Sequence, residues 1–365
     1  MKKRIRFLIN TLAGGGAEKV LVELLNQLDP DMYDITLVTV TGGVRRHDLL
    51  EHITVRQIVP SGRQSTLLAK LVYKLPPRLF AKLFLPGDFD IEIAYLEGSP
   101  TRFMAAKRTN GRKLAFVHCD LSVNNLIQSL YPSKEDCLTE YQCFDKICFV
   151  SQKSKKGFEE AIGPVDNGCV IHNMINIDRI RAMAATETEE EYRTNGLKLV
   201  TVGRLTAAKG YDRLLRIVDD LEKEFSFELW ILGDGEERAA LEKLIAERDI
   251  RCVRLLGYRE NPYPLLRKAD LFVCASLSEG YSTAVTEAMV LALPVITTDC
   301  AGMDEILEQG KYGLIVENSE QALKAGLFNL LQNPEEMEKL RAAALEKSQT
   351  MTNQRAMREY TELFS

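Results

Sequence analysis

The feature that most constrains the fold is a regular alternation of short apolar runs with helical patterns along a chain of 365 residues. Between most runs, apolar residues recur at spacings of three and four, as in GAEKVLVELLNQL at 16–28, which predicts amphipathic helices. This alternation predicts a parallel sheet covered by helices on both faces. The first half contains these strand candidates: IRFLIN, ITLVTV, TVRQIV, IEIAYL, KLAFVH, KICFVS and CVIHN.

One stretch interrupts the alternation. Residues 183–198, MAATETEEEYRTNGLK, are charged, poor in large apolar side chains and end near an Asn-Gly pair, which favours a linker. Six further strand candidates follow it: KLVTVG, FELWILGDG, VRLLGY, LFVCAS, PVITTD and GLIVEN. We therefore expect an α/β protein of two doubly wound, Rossmann-like domains.

The predicted domains face one interdomain cleft. Ligands of open α/β sheets bind at the carboxyl ends of the strands, so the cleft is the expected site. A helical pattern with no strand after it ends the chain, and we expect it to pack back on the first domain. The predicted boundaries are 1–175 for the first domain, 176–197 for the linker, 198–345 for the second domain and 346–365 for the C-terminal helix.

Composition excludes several classes of protein. A formal net charge of -5 argues against a general nucleic-acid binder. The eight cysteines form no Cys-x-x-Cys pair, so we expect reduced thiols and no zinc site. The opening MKKRIRFLIN has too short an apolar run for a signal peptide and predicts the first buried strand. No uncharged apolar stretch reaches membrane-spanning length.

A glycine run follows the first strand, in LINTLAGGGAEKVL at 8–21. Gly14, Gly15 and Gly16 allow a ligand to approach the backbone, and the next helix offers free N–H groups. The run is neither Gly-x-Gly-x-x-Gly nor a P-loop, so dinucleotide and P-loop interpretations are weak. The alternative is a plain flexible turn, and these residues alone leave both interpretations open.

The second domain opens in a similar way, with LVTVGRLTAAKGYDRLL at 199–215. Its strand ends at Gly203, and Arg204 and Lys209 follow in the loop before a helix. Two cations at a helix N-terminus oppose the helix dipole, so an anion such as a diphosphate between them would relieve the repulsion. The alternative is a pair of solvated surface charges.

The stretch SEGYSTAVTEAM at 278–289 places one glutamate before a helix and a second inside it. Glu279 falls in the loop at the carboxyl end of a strand, and Glu287 lies one to two turns into the helix, where its carboxylate can reach a ribose diol. The alternative is that Glu279 is a turn residue and Glu287 forms a salt bridge on the helix. The backbone N–H groups that can face phosphate oxygens belong to Gly280, Tyr281, Ser282 and Thr283.

Five motifs together resemble glycosyltransferase family 4, the retaining glycosyl transferases group 1 with the GT-B fold. They occur in the family's order and span nearly the whole chain, and the glutamate pair with seven residues between is the most specific of them. The motifs are GGGAEKVL near the start, FVHCD at 116–120, VGRLTAAKG at 202–210, LGDGEERAAL at 232–241 and EGYSTAVTEAM at 279–289.

The resemblance implies a role for each matching residue. His118 would lie beside the transferred sugar, although a lone histidine at a strand end is usually structural. Arg204 and Lys209 would bind the diphosphate and balance charge on the departing nucleotide. Glu279 would hydrogen-bond the hydroxyls of the sugar, and Glu287 those of the ribose. The backbone of the remaining donor-binding residues would approach the nucleotide sugar: Gly15, Gly16, Gly203, Gly280, Tyr281, Ser282 and Thr283.

The same resemblance bears on mechanism and cofactors. The leaving diphosphate is already acidic, so neither glutamate is needed to protonate it, and neither is assigned as a nucleophile. Asp88 and Asp90 in GDFDIE form an Asp-x-Asp pattern, but they precede a strand, so we interpret them as a turn. We expect no metal and no other cofactor. The expected donor is a uridine nucleotide sugar.

Residues 65–86 carry basic and apolar side chains and no acidic one. Their composition fits the surface of an anionic membrane, and Pro76 and Pro77 split the segment into two short helices. The alternative is an ordinary helix pair with a solvated basic face. We expect peripheral membrane contact through this segment and a cytoplasmic location at the inner face. The cations are Lys70, Lys74, Arg78 and Lys82.

The leading hypothesis is a retaining glycosyltransferase that acts on a saccharide acceptor carried by a polyprenyl diphosphate. The resemblance places it in the synthesis of bacterial capsule, exopolysaccharide or another cell-surface glycan. Two alternatives remain open: a non-catalytic GT-B subunit that positions an active partner, and a GT-B nucleotide-sugar epimerase.

Overall fold

The computed structural model of the protein describes residues 1–62, 65–123 and 130–365, and the chain divides into two compact units. The first unit contains Met1–Ile175 and Gln354–Ser365, and the second contains Asn176–Asn353. Residues 176–197, predicted as a linker, belong to the second unit. The second boundary falls after Asn353 rather than after residue 345.

A parallel seven-stranded sheet forms the centre of the first unit, in the order β3-β2-β1-β4-β5-β6-β7. Strand β1 lies inside the sheet, where Ile5 is paired with Ile35 on one side and Ile91 on the other. Each strand overlaps one of the predicted runs, so the strand pattern of this unit is confirmed. The strands are β1 (Lys3–Ile9), β2 (Tyr33–Thr39), β3 (Thr54–Gln57), β4 (Ile91–Ala94), β5 (Arg112–Val117), β6 (Lys146–Phe149) and β7 (Gly168–Val170).

Helices cover both faces of this sheet. Phe7 points into one hydrophobic cluster and its neighbour Leu8 into another, as the alternation of side chains along a strand requires. A short 3-10 helix spans Val44–Asp48. The helices described in the N-terminal part of the unit are α1 (Gly16–Gln27), α2 (Ser65–Tyr73), α3 (Pro77–Phe84), α4 (Ser99–Ala105), α5 (Lys134–Tyr141) and α6 (Gln152–Ala161).

The second unit contains a parallel six-stranded sheet in the order β10-β9-β8-β11-β12-β13. This is the Rossmann order, in which the chain reverses its direction of winding between β8 and β11 and opens a crevice at their carboxyl ends. All six strands were predicted. They are β8 (Leu197–Val202), β9 (Phe227–Leu232), β10 (Val253–Gly257), β11 (Leu271–Cys274), β12 (Val295–Thr298) and β13 (Leu314–Val316).

The helices of the second unit follow its strands. A 3-10 helix at Ala207–Lys209 precedes the first long one. No helix in the described part of the chain is long and apolar enough to cross a membrane. The helices are α7 (Ile177–Ala184), α8 (Tyr211–Leu221), α9 (Arg238–Arg248), α10 (Tyr263–Arg267), α11 (Thr283–Val290), α12 (Met303–Ile306), α13 (Glu320–Gln332) and α14 (Pro334–Thr350).

The charged stretch after α7 packs on the second unit instead of crossing between domains. The ring of Tyr192 lies parallel to that of Trp230, with 3.7 Å between centroids, and its hydroxyl donates to the Leu199 carbonyl at 3.2 Å. Glu190 accepts hydrogen bonds from Arg254 and Arg259. Glu190, one of the acidic residues that suggested a linker, is therefore paired with basic residues of the same unit.

The last helix, α15 (Asn353–Phe364), packs into the core of the first unit. Tyr360 and Phe364 are fully buried, and the Phe364 ring meets Phe7 and Tyr33 edge-on at 6.1 and 6.2 Å. The Lys3 ammonium donates to the Phe364 carbonyl oxygen at 2.7 Å. The helical pattern predicted at the end of the chain is thus two helices, α14 and α15, because the backbone is extended at Met351.

Candidate functional site

The loop between β8 and α8 carries both predicted cations of the second unit. Gly203 directly follows β8, and its N–H donates to the Leu232 carbonyl at 3.0 Å. Gly210 ends the loop with a φ of +62°, and a Cβ there would lie 2.2 Å from the carbonyl oxygen of Ala275. Only glycine permits that approach, which holds the end of this loop against the end of β11.

The loop between β11 and α11 contains the first glutamate of the predicted pair. Helix α11 begins at Thr283, and the Oγ of Ser282 caps it by accepting a hydrogen bond from the Val285 N–H at 3.4 Å. The prediction that Glu279 precedes this helix and Glu287 lies inside it is therefore confirmed. Gly280 and Tyr281 precede the cap, so the predicted N–H groups lie at the carboxyl end of β11 and the start of α11.

Lys209 and Glu279 form an ion pair. The Lys209 Nζ donates to Oε1 of Glu279 at 2.6 Å, and the Oγ of Ser276 donates to the same oxygen at 2.6 Å. The side chains of Lys209 and Glu279 are 25% and 11% exposed. Burial lowers the pKa of Lys209, but the charge and hydrogen bond of Glu279, together with smaller contributions from Cys274 and Tyr211, leave the pKa above its ordinary value, so the ammonium stays charged.

This pair changes the argument made from the sequence. Lys209 does not require a ligand anion for its charge to be balanced, because Glu279 supplies one. Arg204 is exposed at the carboxyl end of β8, and its side chain makes no hydrogen bond or ion pair with the described residues. Glu287, in contrast, is 3% exposed within α11. Of the predicted residues, the structure thus brings Lys209 and Glu279 into direct contact.

Arg213, a residue that the sequence analysis missed, joins α8 to the loops that follow β11 and β13. Its guanidinium is buried and donates to the carbonyl oxygens of Ala275 and Ser276 and to Oδ1 of Asn318, at 2.7, 2.8 and 2.8 Å. Burial lowers the pKa of this arginine. The feature of the sequence that could have identified Arg213 is its helical spacing, four residues before Ile217, which places it on the buried face of α8.

The predicted glycines of the first unit lie at the carboxyl end of β1. Gly14 has a φ of +106°, which favours glycine, and Gly15 is the residue before α1, which begins at Gly16. The loop between β1 and α1 therefore presents the free N–H groups at the start of a twelve-residue helix. Their predicted role toward a diphosphate stays a prediction.

His118 follows β5 in the first unit. Its backbone N–H donates to Oε2 of Glu97 at 2.9 Å, and its ring packs 4.8 Å from that of Tyr95. Both ring nitrogens are buried, and neither has a hydrogen-bond partner in the described part of the chain. Burial lowers the pKa of His118 to about 4, and the Glu97 carboxylate offsets part of that change. The ring is therefore neutral at pH 7.

The Asp-x-Asp pattern lies at the amino end of β4. Asp90 accepts a hydrogen bond from the Arg4 N–H at 2.7 Å, and the Asp88 carbonyl accepts one from the Arg4 guanidinium at 3.0 Å. Both interactions tie the turn to β1. Among the described residues, no group of three or more His, Cys, Asp or Glu side chains is arranged to hold a metal ion. All eight cysteines are free thiols.

Residues 183–347, all within the second unit, match the family model described as glycosyl transferases group 1. The matched range includes all six strands of the second unit. The stretch Lys209–Glu279 and the helix α11 lie inside the matched range. The motifs from which the resemblance was inferred in this half of the chain all lie inside the matched range.

Similarity to other glycosyltransferases extends over the whole chain. An uncharacterized glycosyltransferase of Methanocaldococcus jannaschii is 32% identical, but over 197 residues that span 48% of either chain. The N-acetylgalactosamine-N,N'-diacetylbacillosaminyl-diphospho-undecaprenol 4-alpha-N-acetylgalactosaminyltransferase of Campylobacter jejuni is 25% identical over 360 residues, 95% of this chain and 94% of that one.

The fold itself is that of the GT-B glycosyltransferases. The crystal structure of Anabaena HepE in complex with UDP-glucose superimposes with a TM-score of 0.73, covers 99% of this chain and 98% of that chain, and is 19% identical. The expected architecture of two Rossmann-like parallel-sheet units is therefore confirmed.

Proposed function

We propose that this glycosyltransferase moves a sugar, with retention of its anomeric configuration, from a UDP-sugar to a lipid-linked saccharide acceptor in the synthesis of a bacterial surface glycan. The contact of Lys209 and Ser276 with one oxygen of Glu279 carries the proposal. It places a fixed carboxylate and a cation at the topological switch point of a Rossmann-type sheet, where ligands of such sheets bind.

We assign the groups of the donor to a cation, to backbone N–H groups and to a carboxylate of the second unit. Arg204, with its exposed guanidinium, and the N–H groups at the start of α11 are assigned to the diphosphate, whose charge rises as the sugar leaves. Oε2 of Glu279 accepts no hydrogen bond from the described residues and is assigned to the sugar hydroxyls. Gly203 and Gly280 are assigned to the backbone that approaches the donor, because neither carries a side chain.

The reaction proposed for this site needs no protonation of the leaving group, because a nucleoside diphosphate is already acidic. The acceptor hydroxyl attacks from the face that the diphosphate leaves, and a phosphate oxygen takes the proton. Arg204 and Lys209 carry the positive charge that a metal supplies in other phosphate-transfer sites, so we propose that the enzyme is independent of metal ions.

Two similar proteins support the choice of substrates. HepE was crystallised with UDP-glucose, and the Campylobacter jejuni enzyme is named for an acceptor that carries a diphospho-undecaprenol group. We assign the same two classes, a UDP-sugar and a polyprenyl-diphosphate-linked saccharide, to the donor and acceptor of this protein. The sugar itself is left to experiment.

The helices α2 and α3 support contact with a membrane at its cytoplasmic face. In α2 the buried residue is Ala69, and Val72 and Tyr73 pack partly against the core of the first unit, whereas five of the nine residues of the helix are exposed. The four predicted cations are exposed, with no ion-pair partner among the described residues. A surface that combines exposed leucines with unpaired cations suits an anionic lipid surface better than water. The leucines are Leu67, Leu68, Leu71, Leu79 and Leu83, each 41% to 63% exposed.

A screen of nucleotide sugars tests the proposal. In a thermal-shift assay with EDTA present, we expect one UDP-sugar to stabilise the protein, by about 2.7 kcal/mol at a hundred times its dissociation constant. With that donor, NMR of the anomeric proton of the first product should show the configuration of the donor sugar. No stabilisation by any UDP-sugar, inverted product, or activity that returns only on adding manganese would each contradict part of the proposal.

A further inference from the structure

The backbone of Ser276, the second residue after β11, is held by donors from three elements. Its carbonyl oxygen accepts hydrogen bonds from the Arg213 guanidinium at 2.8 Å, from Thr298 Oγ1 at 2.6 Å and from the Cys300 thiol at 3.1 Å. The residue is 2% exposed. These contacts fix the main chain at this position without any contribution from the serine hydroxyl.

The hydroxyl of Ser276 has a different task from the backbone. It donates to Oε1 of Glu279 at 2.6 Å, and the Lys209 Nζ donates to the same oxygen at 2.6 Å. The second carboxylate oxygen, Oε2, receives no donor from the described residues. Glu279 is therefore held by one oxygen, with the other left for a ligand.

We propose that Ser276 is a positioning residue for Glu279. The inference rests on the proposed function, in which Glu279 binds the hydroxyls of the donor sugar. A lysine alone leaves a carboxylate free to rotate and to present either oxygen, because an ammonium is a compact charge without directional preference. A second donor on Oε1, from a residue whose backbone is fixed, removes that freedom and directs Oε2 toward the sugar.

Replacing the hydroxyl while keeping the backbone tests this role. S276A leaves the three bonds to the carbonyl oxygen intact, so we expect the variant to fold. Loss of a hydrogen bond to a charged group typically lowers a rate or binding constant by a factor of about ten to a hundred. We therefore expect kcat/KM for the UDP-sugar to fall about ten- to a hundred-fold in S276A. The dissociation constant of UDP, which has no sugar, should stay unchanged. S276C, with its weaker thiol donor, should lie between S276A and the wild type.

Ser348 provides the matched control. Its hydroxyl is also buried and donates to a backbone carbonyl, that of Val290 at 2.7 Å, but it has no contact with Glu279. S348A reproduces the general cost of deleting a buried hydroxyl in this unit and should keep the kcat/KM of the wild type.

Two readouts separate failure of this inference from failure of the proposed function. If the wild type turns over a UDP-sugar and S276A matches S348A in kcat/KM, Ser276 does not position Glu279. If the wild type turns over no UDP-sugar, crystal structures of the wild type and S276A still show whether Ser276 positions Glu279. We expect the Glu279 carboxylate to change position or lose order in S276A, and an unchanged, ordered carboxylate overturns the inference.

Discussion

Individual side chains differ in how far the fold has already balanced their charge. Lys209 is paired with Glu279 at 2.6 Å in a partly buried site, whereas Arg204 projects from the end of β8 with no partner among the described residues. The two cations were equivalent in the sequence. In the structure they are not, because only Lys209 shares its charge with a carboxylate. Their substitution should therefore have different consequences for stability.

R204A should lower turnover of the donor by about 10²–10³-fold, since one positive charge at the developing diphosphate is lost. Its free energy of unfolding should change by no more than about 0.5 kcal/mol, as is usual at an exposed position. K209A should lower turnover too, and it should also lower the free energy of unfolding by about 1–3 kcal/mol, because Glu279 is left with one donor in a partly buried site. Steady-state kinetics and urea denaturation measure the two quantities.

K243A serves as the control for both variants. Lys243 is 74% exposed on α9, where it pairs with Glu247 within the helix. Such a pair contributes little to stability. Turnover in R204A and K209A that equals turnover in K243A would remove both cations from the proposed donor site.

At the scale of elements, the helix pair α2 and α3 is anchored to the first unit through α3 and the loop that follows it. The loop after α3 is held by Arg6, a fully buried residue whose guanidinium pairs with Glu92 at 2.6 Å and donates to the carbonyl oxygens of Pro86 and Gly87. Phe80 of α3 stacks on Phe103 at 3.7 Å. A firmly anchored α3 beside an exposed α2 can present leucines and cations together on one surface.

Reversing the four exposed cations of α2 and α3 to glutamate should release the protein from anionic vesicles. Each cation near such a surface contributes about 1 kcal/mol, and salt should weaken binding of the wild type because exposed charges are screened within about 8 Å at physiological ionic strength. Vesicle co-sedimentation measures the binding. Transfer to a lipid-linked acceptor should slow, while hydrolysis of the donor by water should change little. The substitutions are K70E, K74E, R78E and K82E.

A control variant carries the same change of net charge at exposed positions of the first unit outside α2 and α3. It should pellet with anionic vesicles as the wild type does. Equal binding by the control and by the reversal in α2 and α3 would mean that net charge, and not this surface, governs binding. The control substitutions are R56E, R108E, K134E and K146E.

At the scale of the whole molecule, the two ends of the chain belong to one unit. The last helix contributes Tyr360 and Phe364 to the cluster that also contains Phe7 and Tyr33, so the first unit is completed only when the final residues of the chain are in place. The single tryptophan, Trp230, is buried in the second unit. Fluorescence therefore monitors the second unit, while circular dichroism monitors both.

F364A should destabilise the first unit by about 3–5 kcal/mol, the usual cost of truncating a buried phenylalanine. In urea, the transition followed by circular dichroism should move further toward low denaturant than the transition followed by Trp230 fluorescence. E362A, at an exposed position of the same helix, should change neither by more than about 0.5 kcal/mol. A shift of equal size in the two signals for F364A would show that the helix does not stabilise the first unit selectively.

The sequence alone determined the element types and their order. Both sheets follow from runs of branched and aromatic residues, because a strand buried on both faces of a parallel sheet must be apolar along its length. The start of α11 was predictable from Ser282, since a serine before a helical pattern satisfies free N–H groups. Glu279 and Lys209 were identified by type and spacing, which are properties of the chain itself.

The tertiary structure decided which of those residues touch. Lys209 and Glu279 are 70 residues apart in the sequence, and Arg213 lies 105 residues before its partner Asn318. Such contacts depend on the order of the strands in the sheet and on the packing of the loops at their ends, which no local pattern encodes. The acidic stretch before β8 was misread for the same reason. Its charge is visible in the sequence, but Arg254 and Arg259, which pair with its Glu190, become neighbours of the stretch only when β10 takes its place at the edge of the sheet.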